Sequence, residues 1–159
     1  MKESGVIRMR EHLFRGRRKG NGEWIEGYLA AHDLICPSYP EDTLNATGEY
    51  YGKVPYVGFV EVDPETVGEY TGMPDKNGKR IFEGDIVRHH NGNPYTDSDN
   101  IELGKVYWDE KYCGWRRTSN GAFHHGCVDT YRMSPDCVYE VIGNIHDNPE
   151  LMEVRDETD

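Results

Sequence analysis

The residues in this 159-residue chain that are best suited to chemistry are histidines and cysteines in its last third. His124 and His125 closely precede Cys127, and a thiol beside an imidazole is the pairing that nucleophilic catalysis uses. Cys113 and Cys137 lie on either side, so these five residues are also of the types that bind zinc. No spacing among them matches a zinc module, and adjacent histidines on a strand point to opposite faces. We therefore expect reduced thiols with no metal and no cofactor, and the role of these five residues stays open.

Other catalytic signatures are missing from the sequence. It contains no phosphate-binding glycine loop after a predicted strand, no GxSxG and no HExxH. Asp85 follows Gly84 in a predicted turn, where a carboxylate that accepts a local backbone N–H explains it better than catalysis does. We therefore expect a protein that is not an enzyme. A small hydrolase that uses Cys127 is the third alternative for its function.

The net charge of −11 is unevenly distributed along the chain. The first 20 residues carry +5, and the remainder therefore carries −16. An acidic body opposes non-specific binding to nucleic acid, because phosphate contacts need clustered Lys and Arg side chains. The basic stretch at 15–19 nevertheless makes Arg15, Arg17 and Arg18 candidate binding residues. A solvated strand end is the ordinary interpretation of this stretch, and nucleic-acid binding is the alternative that it keeps open.

A second candidate binding surface combines aromatic side chains with arginine. Trp115 precedes Arg116 and Arg117, and such residues together form stacking and cation–π surfaces for a protein or for single-stranded nucleic acid. The alternative is that the tryptophans form the core of a small barrel that is short of leucine. We predict a core position for Trp24 and Trp108, and we leave Trp115 and its two arginines open as candidates.

Composition favours a single β-rich domain. The chain has 11 Tyr, 3 Trp and 4 Phe, which is too aromatic for a disordered chain, and its 18 Gly and 8 Pro indicate frequent turns. No apolar run approaches the ~20 residues of a membrane-spanning helix, and the N-terminus lacks the apolar stretch of a signal peptide. We expect a soluble, cytoplasmic protein with no membrane association.

Short apolar or alternating runs bounded by turn residues predict antiparallel hairpins. The first hairpin joins 12–17 to 23–29 through Asn21-Gly22, a dipeptide typical of tight turns. A strand over 56–62 leads into a turn at 63–65. Further strands, separated by turns, are predicted at 67–72, 79–82, 86–89, 104–108 and 115–118.

The rest of the chain is predicted to contain loops, one further strand and a helical turn. Residues 31–56 carry Pro and Gly without a sustained period, and 90–100 are rich in Asn and Asp, which predicts long loops with short extended pieces. Residues 137–145 form a final strand. Asn148-Pro149-Glu150 then predicts a short helical turn with Asn148 as its cap. Since no segment keeps a period of 3.6 residues, the fold class is mainly β, either a sandwich or a small barrel.

Three motif blocks make the chain resemble the YopX family of phage and prophage proteins. The first comprises His12–Arg17 (HLFRGR) and Gly22–Gly27 (GEWIEG). The second, which is the longest and most specific, runs from Val62 to Val87 (VDPETVGEYTGMPDKNGKRIFEGDIV). The third comprises Tyr139–Ile145 (YEVIGNI) and Asn148–Leu151 (NPEL).

The resemblance implies a mainly β fold with a small SH3-like barrel, additional β-hairpins, long loops and a short C-terminal helical turn. On this basis we expect an N-terminal arm at 1–11, a single domain at 12–152 and an acidic tail at 153–159. Within the domain, 12–62 form the hairpin and loop region and 63–152 form the barrel core. The resemblance also implies carriage on a temperate phage or prophage in a bacterial host, and it transfers no catalytic residue.

These observations favour a phage accessory protein that binds a host or phage protein, or associates with itself. The contact would use an exposed strand edge or an aromatic–arginine face. Binding to nucleic acid through residues 15–19 is the alternative.

Overall fold

A computed structural model of the protein describes residues 11–37, 58–90, 101–118 and 130–153. Most of the predicted loops at 31–56 and 90–100 lies outside these ranges, as do His124, His125 and Cys127. In the described part the protein is mainly β, which confirms the predicted fold class. Ten strands there form two antiparallel sheets, followed by a short 3-10 turn at Pro149–Met152.

The first sheet contains β1 (Phe14–Arg18), β2 (Trp24–Ala31), β3 (Leu34–Pro37), β4 (Val60–Pro74) and β5 (Arg80–Phe82), paired in chain order. β1 also pairs with β4, so the first four strands close into a ring. The predicted hairpin of β1 and β2 is confirmed, with Arg17 opposite Trp24. Its turn ends at Gly22, whose φ of +74° is readily adopted only by glycine.

β4 is longer than the sequence predicts. The expected turn at 63–65 is a bulge inside one continuous strand, because the register with β1 jumps between Arg15 and Arg17. The Thr66 hydroxyl accepts a hydrogen bond from the Arg17 amide (2.8 Å) and donates one to the Asp63 carbonyl (2.7 Å). The Thr66 side chain thus supplies hydrogen bonds that the backbone loses at the bulge. Local turn propensity does not predict these hydrogen bonds.

The second sheet contains β6 (Asp85–His90), β7 (Ile101–Asp109), β8 (Gly114–Thr118), β9 (Thr130–Arg132) and β10 (Tyr139–Asn144), in the order β10-β6-β7-β8-β9. The predicted hairpin of β7 and β8 is confirmed, whereas β9 is not predicted from the sequence. The sheets are joined at Glu83-Gly84, where Gly84 has a φ of +81°. The sheets therefore divide at 83–84, while the predicted division of the domain lies at residue 62. The domain bounds themselves stay a prediction.

Two clusters of buried side chains form the core. The larger comprises Ile81, Val87, Val106, Trp115, Met133 and Tyr139, and the smaller comprises Leu13, Tyr70 and Phe82. Ile81 and Phe82 are neighbours on β5 and belong to different clusters, because successive side chains on a strand point to opposite faces. The short strand β5 therefore connects the two parts of the core.

The structure settles the positions of two tryptophans on the second sheet, of which the sequence predicts only Trp108 to be in the core. Trp115 is 8% exposed and belongs to the larger core cluster, whereas Trp108 is 38% exposed. They lie opposite each other on β7 and β8, with ring centroids 5.2 Å apart. Because Trp115 already covers the core, Trp108 packs against its edge and stays accessible to solvent. The predicted core position of Trp108 is wrong, and Trp24 is half-buried.

The predicted C-terminal turn is confirmed as a 3-10 turn with Pro149 at its start. Asn148 occupies the cap position, but its side chain makes no capping hydrogen bond and packs against Gly143 instead. Within the described ranges, no helix has both the length and the apolar character needed to cross a membrane.

Candidate functional site

Arg15 and Asp85 form an ion pair in the interior, where the two sheets are joined. Arg15 comes from β1 and is 8% exposed, and Asp85 begins β6 and is 1% exposed. Arg15 also donates to the Glu83 carbonyl (3.2 Å), and the Phe82 amide donates to Asp85 Oδ2 (2.8 Å). Burial raises the pKa of Asp85, while Arg15 and the Phe82 amide act in the opposite direction. The hydrogen bond from the Phe82 amide confirms the local hydrogen bond that the sequence predicts for Asp85.

Aromatic rings lie against this ion pair. The guanidinium carbon of Arg15 is 4.9 Å from the ring centroid of Trp24 and 5.1 Å from that of Phe82. Trp24 Nε1 donates to Asp147 (2.7 Å), and the Trp24 ring packs against His146 with centroids 5.8 Å apart. The structure therefore places Arg15 in the interior rather than on a binding surface.

The other members of the basic stretch contact carboxylates. Arg17, Arg18 and Lys19 each have a side-chain nitrogen within 3.7 Å of a carboxylate oxygen. Their partners are, in the same order, Asp147, Glu23 and Asp33. These pairs are partly exposed and individually weak, but together they neutralise the stretch locally. A binding role for Arg17 and Arg18 stays a prediction that this geometry does not favour.

A cleft of about 230 Å³ lies beside the Arg15–Asp85 pair. Its lining combines apolar Val67 and Ile145 with ionisable Glu65, Lys105 and His146. Burial lowers the pKa of His146, and a neighbouring arginine acts in the same direction, which favours the neutral imidazole. The cleft is smaller than the ~300–1,000 Å³ of most ligand pockets. Among the described residues, no serine or cysteine lines it, so it holds no nucleophile of the kind that a cysteine hydrolase needs.

The cysteines and histidines singled out from the sequence form no site in the described residues. His124, His125 and Cys127 lie outside the described ranges. Cys113 and Cys137 are exposed free thiols. In the part of the chain that the structure describes, no group of three or more metal-binding side chains comes together. Both the zinc and the hydrolase alternatives stay untested.

One face of the sheet formed by β7, β8 and β9 carries a row of aromatic and basic side chains, and its β7 end also lines the cleft described above. Tyr107 lies opposite Arg116, and Arg116 lies opposite Arg132 on the next strand. Since directly opposed residues on adjacent strands share a face, these three side chains form one row across the sheet. Lys105 shares that face, because it lies two residues before Tyr107 on β7. We call Lys105, Tyr107, Arg116 and Arg132 the outer face.

Tyr112 extends the outer face at the turn between β7 and β8. It is 61% exposed, and the guanidinium carbon of Arg116 is 4.7 Å from its ring centroid. Lys111 Nζ is 5.4 Å from the same centroid. Asp109 Oδ2 lies 3.5 Å from Arg116 Nε. Tyr112 thus presents an exposed aromatic ring with two cations against it.

Trp115 and Arg117 lie on the opposite, inner face of the same sheet. Trp115 belongs to the core, and Arg117 is 3% exposed and donates to Glu102 at 3.0 Å. The guanidinium carbon of Arg117 is 5.0 Å from the ring centroid of Tyr131. Of the three neighbouring candidates, only Arg116 therefore lies on the outer face, where its side chain is 17% exposed. Side-chain alternation along β8 separates it from the other two.

The sequence does not predict a site role for Tyr107, Tyr112 or Arg132. The signal for Tyr107 is present in the sequence, because a hairpin with a turn at 109–114 places it opposite Arg116. Arg132 has no such signal, since β9 is only three residues long and is not predicted from the sequence. The sequence therefore predicts only part of the outer face.

The structure defines the class of protein as a mainly β protein in which a closed ring of strands is joined to a second antiparallel sheet. The YopX protein family model matches residues 13–153, and the chain belongs to the YopX family. All three motif blocks fall within or overlap that range, and Arg15, Trp24 and Asp85 come from them.

The structure is also similar to the crystal structure of protein EF1440 from Enterococcus faecalis. The TM-score is 0.46 and the sequence identity is 21%, with 91% of this chain and 100% of that chain covered. No curated protein matches the chain.

Proposed function

We propose that this YopX family member is a non-enzymatic accessory protein of a phage or prophage, and that it binds a host or phage protein in the bacterial cytoplasm. The binding surface is the outer face together with Tyr112. The SH3-like barrel, which the family resemblance implies for residues 63–152, stays part of this proposal.

The arginines and tyrosines of the outer face and Tyr112 carry this proposal, with Tyr107 and Arg116 half-buried at its centre. Tyr112 exposes 61% of its surface, and Arg132 is exposed at the end of the row. Tyr and Arg are enriched where protein interfaces gain most of their binding energy. The contact between Arg116 and the Tyr112 ring restrains both side chains before binding, which reduces the entropy lost when a partner docks.

Charge complementarity points to an acidic segment on the partner. Within the described residues, neither Lys105 nor Arg132 has a carboxylate at salt-bridge distance. The protein as a whole carries a net charge of −11, so a second copy of the chain is repelled at long range. We therefore place an acidic segment of a different protein on the outer face.

Nucleic acid fits the same surface less well. A phosphodiester chain needs a continuous basic groove, because its binding depends on many phosphate contacts. Asp109 and Glu110 stand at the turn that borders the outer face, and the basic stretch at 15–19 is paired with carboxylates. A nucleic-acid strand would therefore meet negative charge after one or two phosphates.

A site-specific cross-linking experiment tests the proposal. A photoreactive phenylalanine derivative replaces Tyr112 in the full chain, which is produced in the bacterium that carries its gene. A matched control places the same derivative at Tyr28, which is 54% exposed but lies on β2 of the first sheet. We expect a discrete protein cross-link from position 112 that is absent from position 28 and is weakened by Arg132→Gln.

Each alternative result counts against the proposal. The absence of a protein adduct at position 112, or equal adducts at both positions, would contradict a binding role for the outer face. An adduct with nucleic acid would support the alternative function. An adduct with a second copy of the chain would contradict the choice of a different protein as partner.

A further inference from the structure

A cavity of about 230 Å³ lies at the end of the outer face, beside the turn between β7 and β8. Its lining residues are Tyr112, Cys113, Gly114, Trp115, Arg116 and Arg132. Two of them carry guanidinium groups, and no acidic residue of the described chain lines the cavity. The cavity is therefore positively charged on a protein whose net charge is −11.

The two arginines of this cavity lie directly opposite each other on adjacent strands. Arg116 pairs with Arg132 in the β8–β9 register, and like charges in this arrangement destabilise a sheet. Asp109 contacts Arg116, whereas Arg132 has no ion pair within the described residues. An anion between the two guanidinium groups would relieve this repulsion.

Trp115 also lines the cavity, but its indole ring lies on the inner face of the sheet and belongs to the core. The two guanidinium groups on the outer face are therefore the donors that an anion in the cavity would meet.

We propose that this cavity is an oxyanion site that binds the carboxylate of a Glu or Asp side chain. Planar guanidinium groups match the two oxygens of a carboxylate, which gives short and directional hydrogen bonds. A single negative charge balances Arg132, since Asp109 already contacts Arg116. Only the identification of the carboxylate with a protein partner rests on the function proposed above.

Nuclear magnetic resonance titration of the full chain tests this site. The probe is N-acetyl-glutamate amide, which carries one carboxylate, and the matched control is the neutral N-acetyl-glutamine amide. We expect saturable shifts of the Arg116 and Arg132 guanidinium signals with the glutamate probe alone. Arg132→Gln should weaken the binding at least about tenfold, because a charge-assisted hydrogen bond is lost.

Arg88→Gln is the matched control variant. Arg88 is also a partly exposed strand arginine, but it contacts Glu140 of β10, which forms the edge of the sheet opposite to β9. It should bind the glutamate probe like the unchanged protein. Equal shifts with both probes, or unchanged binding in Arg132→Gln, would overturn the inference. Tighter binding of inorganic phosphate than of the glutamate probe would overturn the choice of a carboxylate. Saturable carboxylate binding without a cross-link at position 112 would leave the site in place and refute the proposed function.

Discussion

Arg15 of β1 and Asp85 of β6 form a buried ion pair that holds the first sheet against the second. Each charged group has further support, since Arg15 lies over the rings of Trp24 and Phe82 and Asp85 accepts the Phe82 amide. Buried charges are stable only when they are paired and hydrogen-bonded. The pair therefore constrains how the two sheets are joined.

Removal of one partner of this pair should strongly destabilise the fold. Arg15→Met leaves the Asp85 carboxylate buried without its counter-charge, and we expect the free energy of unfolding to fall by about 3–5 kcal/mol. Urea denaturation followed by tryptophan fluorescence measures the change. Arg18→Met is the control, because Arg18 is a partly exposed arginine of the same strand and should change the stability by less than about 1 kcal/mol.

The double variant Arg15→Met, Asp85→Asn separates charge burial from packing, because the new side-chain amide oxygen can still accept the Phe82 amide. It removes both charges together, so it should recover much of the stability that Arg15→Met loses. A double variant that is no more stable than Arg15→Met would show that the pair acts through shape rather than through charge.

Protonation of His146 should destabilise the protein in mild acid. Burial lowers the pKa of His146 below its ordinary value of 6.5, and Arg15 and Arg17 act in the same direction. Asp147 and Asp63 oppose them. The unfolded chain therefore binds the proton first as the pH falls, so the stabilising contribution is present above pH 6.5 and is lost below it.

Urea midpoints measured between about pH 8 and about pH 5 check this dependence. The His146→Gln variant keeps a polar planar side chain and should lose the part of the pH dependence that falls just below pH 6.5. An identical pH profile in the variant and the unchanged protein would contradict the assignment to His146.

The Thr66 hydroxyl should be required for the bulge in β4. Thr66→Val keeps the shape of the side chain but leaves the Arg17 amide and the Asp63 carbonyl without their partner. We expect a loss of about 1–3 kcal/mol in the free energy of unfolding, because both groups are partly buried. Thr66→Ser retains the hydroxyl and should cost less, and similar losses in both variants would argue against the hydrogen bonds.

Gly104 should not tolerate a side chain. A Cβ atom at this position of β7 would overlap the Thr118 carbonyl oxygen of β8, so Gly104→Ala must displace the strands. We expect a loss of about 1–3 kcal/mol, measured by thermal or urea unfolding. Gly20→Ala is the control, since nothing lies within 4 Å of a Cβ there. A Gly104→Ala protein as stable as Gly20→Ala would contradict the close approach of the strands.

The sequence predicts the strands that local patterns encode and fails where distant residues decide. The hairpins of β1 with β2 and of β7 with β8 follow from alternation and turn residues. The continuity of β4 does not, because it depends on the Thr66 side chain contacting β1. The same limit applies to the candidate site: Arg116 is recognisable, but its neighbour Arg132 belongs to a short strand positioned only by the sheet.

The burial of Arg15 shows a further limit of predictions that rest on neighbouring residues in the sequence. In the sequence Arg15 belongs to a short basic stretch, and no neighbouring residue identifies the carboxylate with which it pairs. Its counter-charge, Asp85, lies in another motif block and is brought to it only when the sheets are joined. Charge runs therefore predict surface exposure poorly when one member has a distant carboxylate.

The pairing of β1 with β4 has a consequence for the order of folding. β1 and β2 are adjacent in the chain and can form their hairpin early, but Phe14 finds its second neighbour only at Glu69. Closing such a long chain segment costs conformational entropy, and this cost makes the pairing of β1 with β4 slow. During synthesis on the ribosome, the second edge of β1 therefore has no strand to pair with until β4 has emerged.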